Sequence, residues 1–469
     1  MGKFKNKTDQ KDIQTEEYPV IQSVPKKARH YGFVDMALSW AGANLQPTVW
    51  TMGGSLICAG LGAGFIILIT ANLVAAVVVG LIGLISYKIG TSTMGATRFS
   101  LGINGSKLAS VCNVVNSLGY TAVSNFMAAI TMSYIFKMFF GVPAFGEPGS
   151  HITMIFGCVL NGIISYLCIV IGGSKSIKLF ENIMMVALVI FSVVITIVIF
   201  KELSWDQIKA FRVPEENYMA FGKGFDAMLT FSISFATILG DFTRFTKKGS
   251  AATLAPSVGG ISAVWWFSSI GILGIVATMA KTGVFDINNT NPSTMVINLG
   301  LGLVALIVVM FSTITTNMIS LYASTMGVLN VYPKIKFKYS ATAMGILAIF
   351  VSWIPVFIGT FLDAFYKFLD FQGALFPPLL MIIIVDYYVV RKQKYDMSEI
   401  DKTGGKYWFS HGFNPYAIIS WIIGTLIYIV LRQMGFGAGS IGCVIPSCLI
   451  TILVYYIAAK MGIQNKAYI

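Results

Sequence analysis

Apolar windows bounded by glycine, proline or clustered charge follow one another along most of the chain, at 36–61, 64–88, 108–138, 152–172, 178–200 and 217–240. Six more lie at 253–279, 295–325, 339–360, 367–390, 414–431 and 440–460. About 20 apolar residues carry a helix across a bilayer, so the pattern predicts an all-α integral membrane protein with twelve transmembrane helices. The windows at 108–138 and 295–325 exceed what an upright span needs, which predicts inclined helices or ends that leave the bilayer. Residues 1–34 are rich in lysine with almost no apolar run, and read as a disordered tail rather than a cleaved signal.

Within these apolar helices, polar side chains recur at helical spacing. In the third span Asn113, Asn116, Ser117, Tyr120 and Ser124 fall at i, i+3, i+4, i+7 and i+11, one amide-rich face with an aromatic ring. The sixth repeats the rhythm with Thr230, Ser234, Thr237 and Asp241 beside Phe231 and Phe235. In the eighth, Ser312, Thr315, Thr316 and Ser320 do likewise, with Asn317 alongside. Any one of these serines, taken alone, reads as interhelical glue. Three stripes with adjoining aromatics cost more at mid-membrane than packing requires, and predict a shared polar cavity.

The first span adds a fourth wall. Gly42, Asn44, Gln46 and Pro47 lie well inside its apolar run. Proline removes a backbone donor and clashes with the carbonyl four residues earlier, so carbonyls near Ala43 lose their helical partners and become free to bind a cation. A kinked helix without a ligand role is the alternative. Pro377-Pro378 in the tenth span is read in the same way, as a hinge or bend.

Composition narrows the function classes. Hydrophobic residues make up 56% of the chain and charged ones 11%, against roughly 25% charged in soluble domains. The net charge of +13 fits loops facing anionic lipid better than a nucleic-acid partner. With the N-terminus inside, 25 of the 33 lysines and arginines fall on that side, so both termini are placed in the cytoplasm. Cys58, Cys112, Cys158, Cys168, Cys443 and Cys448 show no CxxC spacing and read as free apolar thiols. Asp35, Asp226, Asp241 and Asp386 fall near helix ends and Glu181 starts the fifth span, leaving no carboxylate, histidine or lysine clearly at the midplane. Proton-coupled carriers need a titratable group there, whereas hydroxyls and carbonyls hold sodium, so sodium is favoured as the coupling ion. Walker, HExxH and GxSxG signatures that would carry ATP-driven or hydrolytic chemistry are missing.

Five stretches resemble the nucleobase:cation symporter-1 family, the group of cytosine/purine permeases and hydantoin transporters. They are Trp50-Thr51-Met52-Gly53-Gly54, then Ala96-Thr97-Arg98-Phe99-Ser100-Leu101-Gly102 with Gly105-Ser106, and Gly240-Asp241-Phe242-Thr243-Arg244-Phe245. Thr315-Thr316-Asn317 with Leu321-Tyr322-Ala323-Ser324, and Pro377-Pro378 with Asp386-Tyr387-Tyr388 and Arg391-Lys392, complete the set over about residues 36–395.

The resemblance implies a leucine-transporter-like inverted repeat of five plus five helices with broken first and sixth helices. It divides the chain into a cytoplasmic tail (1–34), a first repeat (35–212), a second repeat (213–395), and helices 11 and 12 with the C-terminal tail (396–469). It places sodium between the backbone of Ala41 and Asn44 and the side chains of Ser312, Thr315 and Thr316. It stacks a substrate ring on Tyr120, where aligned members have tryptophan, and surrounds the ring with Leu45, Gln46, Asn116, Ser117, Ser124, Ser234, Phe235 and Asn317. Ser117 and Ser124 stand where cytosine permeases and hydantoin carriers, respectively, have glutamine, with Gln46 and Asn116 available to compensate.

The expected function is secondary active import of a purine or pyrimidine base, cytosine-like, by sodium symport across the cell membrane, with no other cofactor. Rivals are a carrier of hydroxymethylpyrimidine, thiamine, allantoin or hydantoin, and a channel or receptor without coupled transport. Neither a membrane enzyme nor a nucleic-acid binder is expected. The small heterocycle and the lipid bilayer are the expected partners, and a monomer suffices for the scheme.

Overall fold

The structure, a computed structural model, describes residues 22–332, 334–357 and 360–464, apart from the side chains of 172–182, 330 and 462–464. Eleven helices among these residues are long and apolar enough to cross a membrane. The first span makes the twelfth, and escapes that count because it is broken into Phe33–Asn44 and Pro47–Ser55. Between its halves Leu45 (φ −81°, ψ 70°) and Gln46 (φ −142°, ψ 153°) leave the helix. Pro47 sits in the first turn of the second half, where its missing N–H costs nothing. The sixth span is interrupted far less. Phe221–Ser234 and Ala236–Thr243 are separated by Phe235, which keeps right-handed helical angles.

Both halves of the first span are pressed onto the seventh, Gly249–Thr282. A Cβ on Gly53 would lie 2.1 Å from the Ser268 Cα, and one on Gly259 would lie 1.9 Å from the Ala37 carbonyl oxygen. Only glycine allows backbones this close, which fixes the first span on either side of its break. The third span, Ile103–Phe140, runs 38 residues and packs along the eighth, Gly302–Val331. At 1.5 Å per residue it is roughly 57 Å long, so its ends do leave the hydrocarbon layer.

Four expectations need correcting. The window at 295–325 is two helices, Pro292–Asn298 and Gly302–Val331, because Gly300 (φ 76°) and Gly302 (φ 73°) turn the chain through left-handed conformations. The fourth and fifth spans, His151–Ile171 and Ile183–Glu202, belong to one helical run, His151–Glu202. The Glu181 side chain lies outside the described residues. Pro377 and Pro378 interrupt no helix, since Phe361–Val385 runs through both, and the Trp421 indole donates to the nearby Leu375 carbonyl at 2.8 Å.

The fourth correction concerns the tail. Residues 1–21 lie outside the described residues, but 22–34 are docked. The Val24 amide donates to the Gly90 carbonyl (2.9 Å), the Ser23 hydroxyl to Ile89 (2.8 Å) and the Arg29 guanidinium to Tyr87 (2.8 Å), capping the second span, Leu61–Ile89. The His30 and Tyr31 amides both donate to Phe245. These are carbonyls that helix ends leave unpaired.

The eleventh and twelfth spans, Pro415–Gln433 and Val444–Gln464, pack on the tenth. Asp386, fully buried where the tenth span ends, accepts from Tyr395 (2.6 Å), Tyr455 (2.7 Å) and Arg391 (3.2 Å) and ties the twelfth span down. All six cysteines are free.

Candidate substrate site

The site forms where the third, sixth and tenth spans meet. The Tyr120 hydroxyl lies 3.0 Å from the Ser234 Oγ and 3.2 Å from the Gln372 Oε1. Ser234 and Gln372 are buried, and the Tyr120 ring is half-buried among the edges of Phe231 and Phe368, 6.3 and 5.2 Å away. From Phe231 the aromatic contacts continue to Phe235 (5.7 Å) and from there to Trp40 of the first span (6.2 Å), all edge to face. Aromatic surface therefore runs from the tenth span to the broken first span with one hydroxyl junction at its centre.

Among the described residues, several buried polar atoms on the spans that meet here have no protein partner: Asn113 and Asn116 Oδ1, Ser124 Oγ, Thr230 Oγ1 and Gln372 Nε2. Asn113, Asn116, Tyr120 and Ser124 follow one face of the third span, as the stripe predicted. Ser117 is buried one position along. An unpaired buried polar atom costs about 1–3 kcal/mol.

Other expected members are placed differently. Asn317 turns to the fourth span, its Nδ2 donating to the Ser165 Oγ at 2.9 Å while its Oδ1 stays unpaired. The Asn44 side chain donates to its own Trp40 carbonyl at 2.8 Å, so only its backbone is offered to the break. The Ala41 carbonyl accepts from the Leu45 amide at 3.0 Å, and Pro47, four residues after Ala43, has no N–H to offer that residue's carbonyl. Leu45 is buried and Gln46 half-buried at the break itself.

On the eighth span Thr315 and Thr316 donate to the carbonyls of Phe311 (2.8 Å) and Ser312 (3.0 Å) one turn back. Their protons are thereby turned inward and the oxygen lone pairs remain available. This span packs on Pro47–Ser55, beyond the break. The structure thus joins Tyr120, Ser234 and Phe235 in one cluster and leaves the proposed cation ligands on two separate elements.

Gln372 and Trp40 were missed by the stripe reading. A solitary amide such as Gln372 has no periodic partner, and only its presence in an apolar helix would have marked it.

The first half of the tenth span makes two further contacts. Tyr366 and Ser55 are hydrogen-bonded at 2.9 Å, and Phe361 stacks on Phe126 at 5.0 Å. A cavity of about 600 Å³ lies farther out, lined in part by Tyr134, Lys137, Glu147, Asp286 and Asn298. The hydrogen bond from Lys137 and that from the Ala144 amide hold the exposed Glu147 carboxyl below its ordinary pKa.

Residues 23–455 match the family model described as permease for cytosine/purines, uracil, thiamine, allantoin. The chain belongs to this family. An allantoin permease of Bacillus subtilis is 23% identical over 437 residues, covering 86% of this chain and 85% of the relative. A cytosine permease of Escherichia coli K12 is 26% identical over 380 residues, covering 80% and 81%. The fold is that of Mhp1, a nucleobase-cation-symport-1 family transporter. Its inward-facing structure superposes with a TM-score of 0.78 at 16% identity over 94% of this chain and 93% of that one. A closed conformation with bromovinylhydantoin bound gives 0.73 at 17% identity, over 94% and 96%. The expected twelve-helix inverted repeat agrees with that fold. The permease is a multi-pass membrane protein whose relatives are transporters, not enzymes.

Proposed function

We propose that this permease imports a neutral, planar nitrogen heterocycle, a purine or pyrimidine base, by sodium symport with alternating access. The carrying observation is the Tyr120–Ser234–Gln372 junction, an aromatic ring bonded to buried polar groups on spans that carry further unpaired polar atoms. Such a site gives a ring a flat face to lie on and hydrogen-bonding groups to read its edge.

The donor set also suits sodium. Carbonyls of Ala41 and Asn44 and hydroxyls of Ser312, Thr315 and Thr316 are hard, neutral oxygen ligands. Drawing the broken first span toward the eighth would order the substrate site at the same time. By linkage, each ligand then tightens the binding of the other. With both termini in the cytoplasm, the Ser55–Tyr366 contact lies toward the outer side.

A second reading, a carrier for a related heterocycle such as allantoin, hydantoin, thiamine or hydroxymethylpyrimidine, is favoured by the small Ser117 and Ser124 where the family resemblance implies glutamine. A thermal-shift screen of the purified protein against these compounds and the common bases, with and without sodium, separates the readings. A true ligand at about 100 times its Kd adds about 2.7 kcal/mol of stability. Tyr120→Ala should abolish the shift for every ring compound, and an undiminished shift would show that Tyr120 only packs. Uptake into sealed liposomes that stops at equilibrium despite a sodium gradient would instead mark a channel.

A further inference from the structure

The Gln372 amide is only half used. We infer that Gln372 is a specificity-determining residue, whose free amide end pairs with the HN–C=O edge of a lactam or imide ring lying on Tyr120. This rests on the carrier reading and names the substrate class within it.

The argument is a count of protons. Ser234 has one hydroxyl proton, and the shortest of its contacts, 2.7 Å, directs it to the Phe231 carbonyl. At the 3.0 Å contact with Tyr120, Ser234 must then accept and Tyr120 donate. That commits the only proton of Tyr120, so the atom 3.2 Å from its oxygen has to be a donor. The two ends of a carboxamide have the same shape and are assigned by their partners, which puts the amide nitrogen against Tyr120. The unpaired end is then the carbonyl, with the second amide proton beside it. Whichever way the amide is turned, one end is buried without a partner.

A glutamine with one end unpaired would be cheaper as leucine if packing were its whole role. Gln372 is fully buried and cannot swing to water. The next residue locks its height: a Cβ on Gly373 would lie 2.9 Å from both Thr230 Oγ1 and the Tyr428 hydroxyl, so the tenth span is wedged between the sixth and eleventh. A ring stacked on the phenol would bring its rim toward the amide that lies 3.2 Å from the phenol oxygen. A carboxamide with a free carbonyl and a free N–H is complementary to a ring that presents N–H beside C=O. Uracil, hypoxanthine and hydantoin present that edge. Adenine has no carbonyl, and 1,3-dimethyluracil has no N–H.

The experiment measures binding of uracil, hypoxanthine, adenine and 1,3-dimethyluracil to the full chain in detergent with sodium, for wild type, Gln372→Glu and Gln372→Leu. Wild type should prefer uracil or hypoxanthine over adenine and over 1,3-dimethyluracil by about tenfold or more. Gln372→Leu should erase that preference by weakening the lactams alone. Gln372→Glu keeps an acceptor and should retain part of it. General damage to the fold would weaken all four compounds together and leave the preference ratio unchanged, which counts against the inference, as does a wild type that binds adenine as well as uracil. A wild type that binds no heterocycle at all overturns the carrier reading instead.

Discussion

Asp226 gives the sharpest test of how the last two helices are held. Its carboxylate is buried in the sixth span and accepts from the backbone amides of Cys443 (2.7 Å) and Val444 (2.9 Å), at the start of the twelfth. Arg432 of the eleventh span lies 3.8 Å away and pairs with Asp370 of the tenth at 2.8 Å. The pocket is cut for aspartate, since a Cβ on Gly442 would lie 2.2 Å from the Asp226 Oδ1. Asp226→Asn keeps the shape, but only its oxygen accepts, and its NH₂ faces a backbone N–H that becomes unpaired. Replacing two charge-assisted bonds by one neutral bond and one orphaned donor costs about 3 kcal/mol. Cys443, buried beside the site, is a built-in reporter. Its maleimide labelling, with the other five cysteines changed to alanine, reads local opening of the loop. At 1.4 kcal/mol per decade the variant should label on the order of 100-fold faster. Labelling within about twofold of the parent would show that these bonds do not hold the helix.

Thr316→Ala removes an oxygen from the proposed cation site. It should raise the sodium concentration for half-maximal uptake by about tenfold or more, and unchanged sodium dependence would remove that residue from the site. Gly53→Val puts side-chain carbons where the Ser268 backbone already stands, 2.1 Å from an added Cβ. Overpacking of this kind costs about 1–3 kcal/mol or more, so the variant should melt well below wild type in detergent; an equal melting temperature would refute the close approach of the first and seventh spans.

What the sequence made legible follows from how each signal is encoded. Pro47 marked a candidate break in the first span because its missing N–H is a covalent fact, but Pro377 and Pro378 lack theirs too and the tenth span runs through both. Tyr120 and Ser234 were legible because their stripes repeat at 3.6 residues, and a repeat survives ignorance of the partner helix. The helix change at Gly300 and Gly302 was not, because both glycines lie in an apolar run whose hydropathy barely changes across the turn. Docking of residues 22–34 was equally hidden, since most of its bonds come from backbone amides, which every sequence possesses. The sixth span shows the limit of the family resemblance. The implied break divides it into two helices at Phe235, yet that residue keeps right-handed helical angles.

The polar atoms themselves separate structure from function. Asn125 is buried in the third span, as Gln372 is in the tenth, yet both ends of its amide are paired: its Nδ2 donates to Ser352 (3.1 Å), and its Oδ1 accepts from Asn161 (2.7 Å). A paired amide of this kind repays its own burial by fastening the third span to its neighbours. Around Tyr120, by contrast, Asn116, Ser124, Thr230 and Gln372 each keep an unpaired atom. Their combined cost, several kcal/mol at about 1–3 kcal/mol each, is comparable to the whole stability of a typical protein. Leucine or alanine at these positions would remove that cost without disturbing the aromatic contacts. Asn116 and Ser124 share the face of the third span that carries Tyr120, and Gln372 touches its hydroxyl, so a polar ring held there would satisfy atoms that the protein leaves unpaired.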